Sequence, residues 1–263
     1  MTKLQWAVIA SAIALFLVMY FGCGHKPNNI KALEKSRALA AESTDVNALL
    51  QEAKASLSPV QTDAVLALEA QLGEAGADTS RVALLKQLSG QWYELGAPAL
   101  AGYYAQQVAE ATGEEEAWSI AGTTYTICIQ RSQEQKIRDF CTGRAVQAFE
   151  NAISLNPESV AHQVNLALAY AANPPQDDPM KGILMLRTLN QNNPDNVLIL
   201  NTLARLAIQT GQFNRAIERL EHALSLDPGN IDSACLLAQA YEGAGDSAKA
   251  SEYAERCRAQ SVR

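Results

Sequence analysis

The sequence has little basic charge and few of the residues that bind metals. Its 263 residues include 21 lysines and arginines against 28 aspartates and glutamates, which gives a formal net charge of −7. Because a surface that binds nucleic acid carries a stripe of basic residues, this balance argues against a nucleic-acid-binding protein. Like-charge runs stay short, so no charged tail is predicted. His25, His162 and His222 lie far apart and none stands beside a cysteine at metal-ligand spacing, so we expect no metal site.

Catalytic motifs and β-strand patterns are also missing. There is no glycine-rich phosphate loop and no Gly-x-Ser-x-Gly turn, and the acidic residues fall where helices would face solvent. We therefore predict a protein that is not an enzyme, needs no cofactor and has no small-molecule substrate. No alternating strand pattern of useful length occurs, whereas alanine is abundant and most prolines separate periodic segments. The sequence predicts an all-α fold.

Residues 1–24 differ from the rest of the chain. They run uncharged from Leu4 to Gly24, and about 20 such residues cross the ~30 Å hydrocarbon core of a bilayer. Trp6 and Tyr20 lie near the two ends, where their rings favour the membrane interface. This pattern predicts a single-pass transmembrane anchor that contacts the lipid bilayer through residues 4–24. The next stretch, residues 25–43, is expected to form a stalk.

Two questions about the anchor stay open in the sequence. Cys23 follows a glycine, as in bacterial lipoprotein cleavage sites, but Tyr20 and Phe21 do not fit that motif. Cys23 is therefore either lipidated or an inert membrane cysteine. The lysines after the span favour a cytoplasmic domain by the positive-inside rule, whereas bacterial proteins with a very short N-terminal tail commonly export the domain beyond the span. We expect the bacterial inner membrane, with the folded part extracytoplasmic.

A regular spacing of small residues organises the second part of the chain. The stretch TGQFNRAIERLEHALSLDPGN, residues 210–230, places Ala216 and Ala223 within an amphipathic helix. Small side chains at this spacing let two antiparallel helices approach each other. Gly211 permits a turn between the helices, and Pro228 ends the second one. The spacing predicts a helical hairpin in which both alanines lie at the helix contact.

This spacing resembles the tetratricopeptide repeat (TPR), a helix-turn-helix unit of about 34 residues. In residues 197–230 the resemblance rests on Leu200, Leu203, Ala204, Gly211, Phe213, Ala216, Leu220, Ala223 and Pro228. Further units are predicted at 82–114, 115–159, 160–196 and 231–263, after a capping helical hairpin at 44–81. The resemblance implies a right-handed α-solenoid of about five units, and the whole architecture is similar to bacterial membrane-anchored TPR proteins.

Four cysteines lie in the predicted repeats. Cys128 and Cys141 stand on either side of an insertion in the 115–159 unit, placed symmetrically about an expected turn. They either form a disulfide, which requires an oxidising compartment, or remain two buried thiols. Cys235 and Cys257 lie in the first and second helices of the last unit. Since one is expected in the groove and the other in the packing, we predict that these two do not pair.

In the TPR family, the first helices of stacked units line a concave surface, and fixed positions of each unit point into it. Here those positions form a groove that is apolar in its middle, which suits an extended or helical peptide. Some of these apolar side chains could instead pack inside the solenoid. The candidate partner-binding residues are Lys86, Tyr93, Thr123, Val164, Leu168, Leu198, Asn201, Arg205, Ile208 and Gln239.

The sequence therefore predicts a membrane-anchored scaffold or adaptor that binds a peptide or protein partner in its concave groove. The alternative is a structural subunit of a membrane complex, of the envelope-assembly or cytochrome-biogenesis type. Such a subunit would associate through its convex face or the 128–141 insertion. A third possibility, an enzyme or enzyme accessory that acts on cell-wall material, is favoured by no residue pattern.

Overall fold

The computed structural model describes residues 46–76 and 79–261, and every helix or strand in these ranges is an α-helix. The twelve helices of the described ranges are α1 (Val46–Ala55), α2 (Pro59–Glu74), α3 (Thr79–Glu94), α4 (Pro98–Thr112), α5 (Glu115–Arg131), α6 (Gln135–Leu155), α7 (Val160–Ala172), α8 (Lys181–Asn192), α9 (Val197–Gln209), α10 (Phe213–Leu226), α11 (Ile231–Ala244) and α12 (Ser247–Ser261).

The predicted anchor, its stalk and Cys23 lie outside the described residues. Of the helices that are described, none is long and apolar enough to cross a membrane.

The helices stack in sequence order. From α3 onward they pack as antiparallel pairs, and α5, α7, α9 and α11, the first helices of four successive pairs, also pack against one another. Each pair thus contacts mainly its neighbours, which is the contact pattern of a solenoid. At the N-terminal end, α2 packs on α3, whereas α1 lies against α4. The structure confirms the all-α solenoid predicted from the sequence.

Polar side chains and one glycine explain where several helices begin and turn. Ser58 and Gln61 form a reciprocal capping box at the start of α2. The side chains of Asn196 and Asn230 accept backbone hydrogen bonds at the starts of α9 and α11. Between α9 and α10, Gly211 has φ 71°, a conformation that a residue with a Cβ rarely adopts. The turn predicted at Gly211 is therefore confirmed.

Small residues mark the places where paired helices approach most closely. Ala216 and Ala223 are both fully buried, which confirms their predicted place at a helix contact. A Cβ added to Gly182 on α8 would lie 2.6 Å from the backbone nitrogen of Ala171 on α7. Backbone cannot move away as a side-chain tip can, so this pair of helices depends on the missing side chain.

Two disulfides cross-link helix pairs. The Cys128–Cys141 bridge joins α5 to α6, and both residues are buried. A second bridge joins Cys235 on α11 to Cys257 on α12, so the prediction that these two do not pair was wrong. The close packing of α11 against α12 brings their Cα atoms within 4.9 Å, which is inside the disulfide range. Neither residue faces an open groove, since both are half-buried at the helix contact.

Candidate partner-binding surface

Six of the ten predicted groove residues have exposed side chains on the first helices of the pairs. They are Lys86 and Tyr93 on α3, Thr123 on α5, Leu198 and Arg205 on α9, and Gln239 on α11. Leu198 is 46% exposed although it is aliphatic, and Tyr93 is 40% exposed. Leu198 and Arg205 are two helical turns apart on α9, so they lie on the same face of that helix.

Val164 is not available to a partner. It is 1% exposed and packs with Leu186 and Ile199 in a core cluster of α7, α8 and α9. The physical reason is that α7 and α9 pack directly on each other, which covers the face that the repeat pattern assigned to the groove. Leu168 packs at the edge of the same cluster and is half-buried. Ile208 is also half-buried, against the core of the last helices.

Asn201 is also buried, because its amide joins two successive helix pairs. Its Nδ2 donates to Asn230 Oδ1 at 3.2 Å and to Asp232 Oδ2 at 3.4 Å. The hydroxyl of Ser233 donates to Asn201 Oδ1 at 2.7 Å. These bonds occupy both ends of the amide, so Asn201 fixes the position of α11 on α9 rather than contacting a partner.

Two exposed arginines at this surface each lie beside a group on another helix. Arg205 Nη2 donates to both carboxylate oxygens of Asp232, at 3.0 and 3.1 Å, in an exposed ion pair. The Arg131 guanidinium lies over the ring of Tyr93, 5.4 Å from its centroid. Arg131 was not predicted from the sequence, and no sequence signal could have found it, since Arg131 and Tyr93 belong to different helix pairs.

The buried His162 on α7 links the α7–α8 pair to the start of α5. His162 Nε2 lies 2.5 Å from Glu115 Oε1, which also accepts a hydrogen bond from Asn156 Nδ2 at 3.0 Å. The hydrogen bond with His162, and then that from Asn156, lowers the pKa of Glu115 below its ordinary value. Only two ionisable side chains, Glu115 and His162, form this contact. Within the described ranges, no group of three or more histidine, cysteine, aspartate or glutamate side chains could hold a metal ion.

Comparison with protein families identifies the last helices. Residues 207–261 match the tetratricopeptide repeat family. A search of curated protein sequences finds no match to this chain. The family match covers the region in which the predicted repeat spacing is most regular.

Comparison with solved structures identifies the fold. A tetratricopeptide repeat protein from Parabacteroides merdae has a TM-score of 0.52 at 15% identity, over 76% of this chain and 72% of its own. The TPR protein TTC0263 from Thermus thermophilus has a TM-score of 0.49 at 16% identity, over 69% and 92%. MamA from Desulfovibrio magneticus has 0.40 at 17%, over 69% and 95%. The first of these structures shows that the described helices share the fold of tetratricopeptide repeat proteins.

Proposed function

We propose that this chain, whose residues 207–261 match the tetratricopeptide repeat family, is a non-enzymatic scaffold that holds a protein or peptide partner along its first helices. The observation that carries the proposal is the set of side chains that these helices leave unpacked. Leu198 is an aliphatic residue at 46% exposure, and Arg205 lies on the same face of α9. Apolar contact area beside a charged group is what peptide-binding surfaces supply.

The scaffold is further proposed to be tethered to a membrane by residues 4–24, with its repeats in an oxidising, extracytoplasmic compartment. The uncharged run from Leu4 to Gly24 supports the tether. The two disulfides support the compartment, because cytosolic thiols are kept reduced in most organisms. Right-handed winding of the solenoid and a concave shape for the first-helix side belong to the same proposal.

Two glutamate substitutions on α9 test the partner surface. Leu198→Glu and Arg205→Glu are expected to reduce recovery of the cross-linked partner from cells by about tenfold, since each removes a central contact. Leu226→Glu is the matched control for the first variant, because Leu226 is 42% exposed on α10, a second helix. Arg258→Glu on α12 is the control for the second. If both α9 variants recover as much partner as the original protein, this face of α9 is not the partner-binding surface.

Thiol labelling of intact cells tests the compartment. With a membrane-impermeant reagent, the half-buried Cys235 and Cys257 are expected to label only after treatment with an impermeant reductant. Labelling that needs cell lysis would place the repeats in the cytoplasm. Carbonate extraction of the membranes tests the tether, and release of the full chain into the supernatant would argue against a spanning segment.

A second candidate is a structural subunit that associates through the end of the α5–α6 hairpin. One observation favours it: a cavity of about 340 Å³ lies where α1 meets this end, lined by Ala53, Pro98, Arg131 and Ile137 among others. A bulky substitution, Ala53→Trp, would fill the cavity. Loss of partner recovery in this variant, with the α9 variants still active, would support the second candidate over the first.

A further inference from the structure

The last helix, α12, packs on the array from one side only. It follows α11 after a turn at Gly245, whose φ is 84°. None of the residues 247–259 is fully buried, whereas every helix from α2 to α11 contains at least one buried residue. Ala250 and Tyr253, which pack against the apolar cluster of α9, α10 and α11, are half-buried. Because each unit of such an array is stabilised by its neighbours, the end helix is the part that opens most easily.

Aromatic and polar contacts hold α12 on the rest of the array. Tyr253 stacks on the ring of Tyr241 on α11, with the two centroids 5.8 Å apart. Lys249 Nζ donates to the Tyr241 hydroxyl at 3.1 Å, and the Arg256 guanidinium donates to the backbone carbonyl of Pro228. Each of these contacts uses an α12 side chain that is half-buried or exposed. They can therefore break and form again while the other helices stay folded.

The Cys235–Cys257 bridge adds a covalent link between α11 and α12. Cys257 lies in the second half of α12, away from the turn at Gly245, so the bridge and the turn together hold the helix at two places. The bridge closes a segment with a sequence separation of 22 residues, and the chain-entropy estimate for such a loop corresponds to suppression of opening by about a hundredfold. Both cysteines are half-buried, so a thiol can reach them without unfolding of the array.

From this geometry, we propose that the Cys235–Cys257 bridge is a redox switch that controls the opening of α12. In the oxidised protein α12 covers the face of α11 around Tyr241, which is 4% exposed. In the reduced protein α12 opens about the turn at Gly245 and uncovers the Tyr241 ring for part of the time.

The Cys128–Cys141 bridge cannot act as the same kind of switch. It joins α5 to α6 within the array, where α4 packs on α5 and α7 packs on both helices. Separation of α5 from α6 would therefore disrupt several helix pairs at once. The position of a bridge in the array, at its end or in its interior, decides whether reduction releases one helix or weakens the whole fold.

The reductant of the switch is a dithiol. One thiolate of the dithiol attacks one sulfur of the bridge, the bond between Cys235 and Cys257 breaks, and the other sulfur leaves as a thiolate that takes up a proton. The second thiolate of the dithiol then attacks the mixed disulfide and releases the remaining cysteine, which is protonated in turn. Two electrons and two protons pass from the dithiol to the bridge, and the dithiol becomes a disulfide.

Hydrogen exchange of the purified full chain, followed by mass spectrometry, tests the switch. Dithiothreitol, a dithiol, is added under native conditions, and alkylation identifies which bridge has opened. Once Cys235 and Cys257 are reduced, the exchange rate of the α12 amides is expected to rise about a hundredfold. The exchange rates of α6 and α10 are expected to change by less than about threefold, because those helices stay packed on both sides. Reoxidation should restore slow exchange in α12.

Two double variants separate the bridges. Replacement of Cys235 and Cys257 by alanine is expected to give fast exchange in α12 without dithiothreitol and no further change with it. Replacement of Cys128 and Cys141 by alanine is the matched control, in which α12 should still exchange slowly until dithiothreitol is added.

Three results would overturn the proposal. If alkylation shows the C-terminal bridge open and the exchange of α12 does not change, the noncovalent contacts alone keep α12 closed. If α6 and α10 exchange as much faster as α12 does, reduction unfolds the array rather than releasing one helix. If Cys235 and Cys257 stay bridged in dithiothreitol until denaturant is added, the bridge is not accessible in the folded protein.

Discussion

The middle and the last helix pairs of the array pack in the same way, but they differ in helix length and in how deeply their disulfide is buried. In the pairs around α4, α5 and α6, large aromatic rings lie on glycines. Phe149 covers Gly122, and Tyr125 covers Gly102, so that a Cβ at either glycine would lie 2.6 Å from a ring carbon. The last pairs repeat this arrangement, since Phe213 on α10 covers Gly243 on α11. Both regions also hold fully buried alanines at helix contacts, such as Ala152 and Ala216.

The family comparison detects only the region with the shorter helices. The match to the tetratricopeptide repeat family covers residues 207–261. The middle pairs are longer, since α5 has 17 residues and α6 has 21, and they add a buried disulfide.

Removing a ring from the middle region is expected to have the largest effect. Phe149→Ala should lower the free energy of unfolding by about 3–5 kcal/mol, because Phe149 is 1% exposed and its loss leaves a cavity over Gly122. Chemical denaturation, with hydrogen exchange of the α5 and α6 amides, measures the change. Leu155→Ala, at the exposed end of the same helix, is the control and should change stability by less than about 0.5 kcal/mol. A similar loss in both variants would contradict the cavity argument.

Breaking each disulfide compares the two regions directly. The bridges span sequence separations of 13 and 22 residues, and the chain-entropy estimate for loops of this size is about 3 kcal/mol each. Replacing Cys128 and Cys141 by alanine, or Cys235 and Cys257, should therefore cost a similar amount in denaturation experiments.

The rates of reduction should differ although the stabilities do not. The Cys128–Cys141 bridge is buried, whereas Cys235 and Cys257 are half-buried, and access limits thiol–disulfide exchange. Timed reduction followed by alkylation and mass spectrometry should show the C-terminal bridge opening first. Simultaneous opening would indicate that global unfolding precedes reduction of both bridges.

Overpacking the last region tests its dependence on small residues. Ala216→Leu should lower the free energy of unfolding by about 1–3 kcal/mol, because Ala216 is fully buried between paired helices. Ala111→Leu is the control, since Ala111 is exposed on α4, and a change within about 0.5 kcal/mol is expected there. Thermal unfolding of both variants gives the comparison, and equal melting temperatures would show that Ala216 is not a tight contact.

The smallest expected effect is a dependence of the stability of the fold on pH. Glu115 has a pKa below its ordinary 4.5 in the folded protein, so its ionised form stabilises the fold. That stabilisation is complete above the unfolded-state pKa and is lost as the pH falls through the folded-state pKa. Glu115→Gln should therefore lower the melting temperature at pH 6. The difference in melting temperature between this variant and the original protein should become smaller as the pH falls below about 4. Glu116→Gln is the control. If the difference in melting temperature between Glu115→Gln and the original protein does not change with pH, ionised Glu115 does not stabilise the fold.

Much of the fold could be predicted from local sequence, and less of the binding surface. Gly211, Pro228 and the alanines of α10 act within one hairpin, where helix propensity and spacing decide the outcome. The groove positions depend on contacts between hairpins. Val164 and Asn201 were assigned to the surface by their place in the repeat, but packing of adjacent first helices buries both.

The sequence by itself determined that the chain forms helical hairpins with small residues at their contacts, because hydrophobic period and turn residues act over a few neighbouring positions. Only the tertiary structure decided which cysteines meet and which first-helix residues stay exposed. Each of these depends on how one hairpin is rotated against the next. That rotation arises from the packing of many side chains distant in sequence, and no local pattern records it.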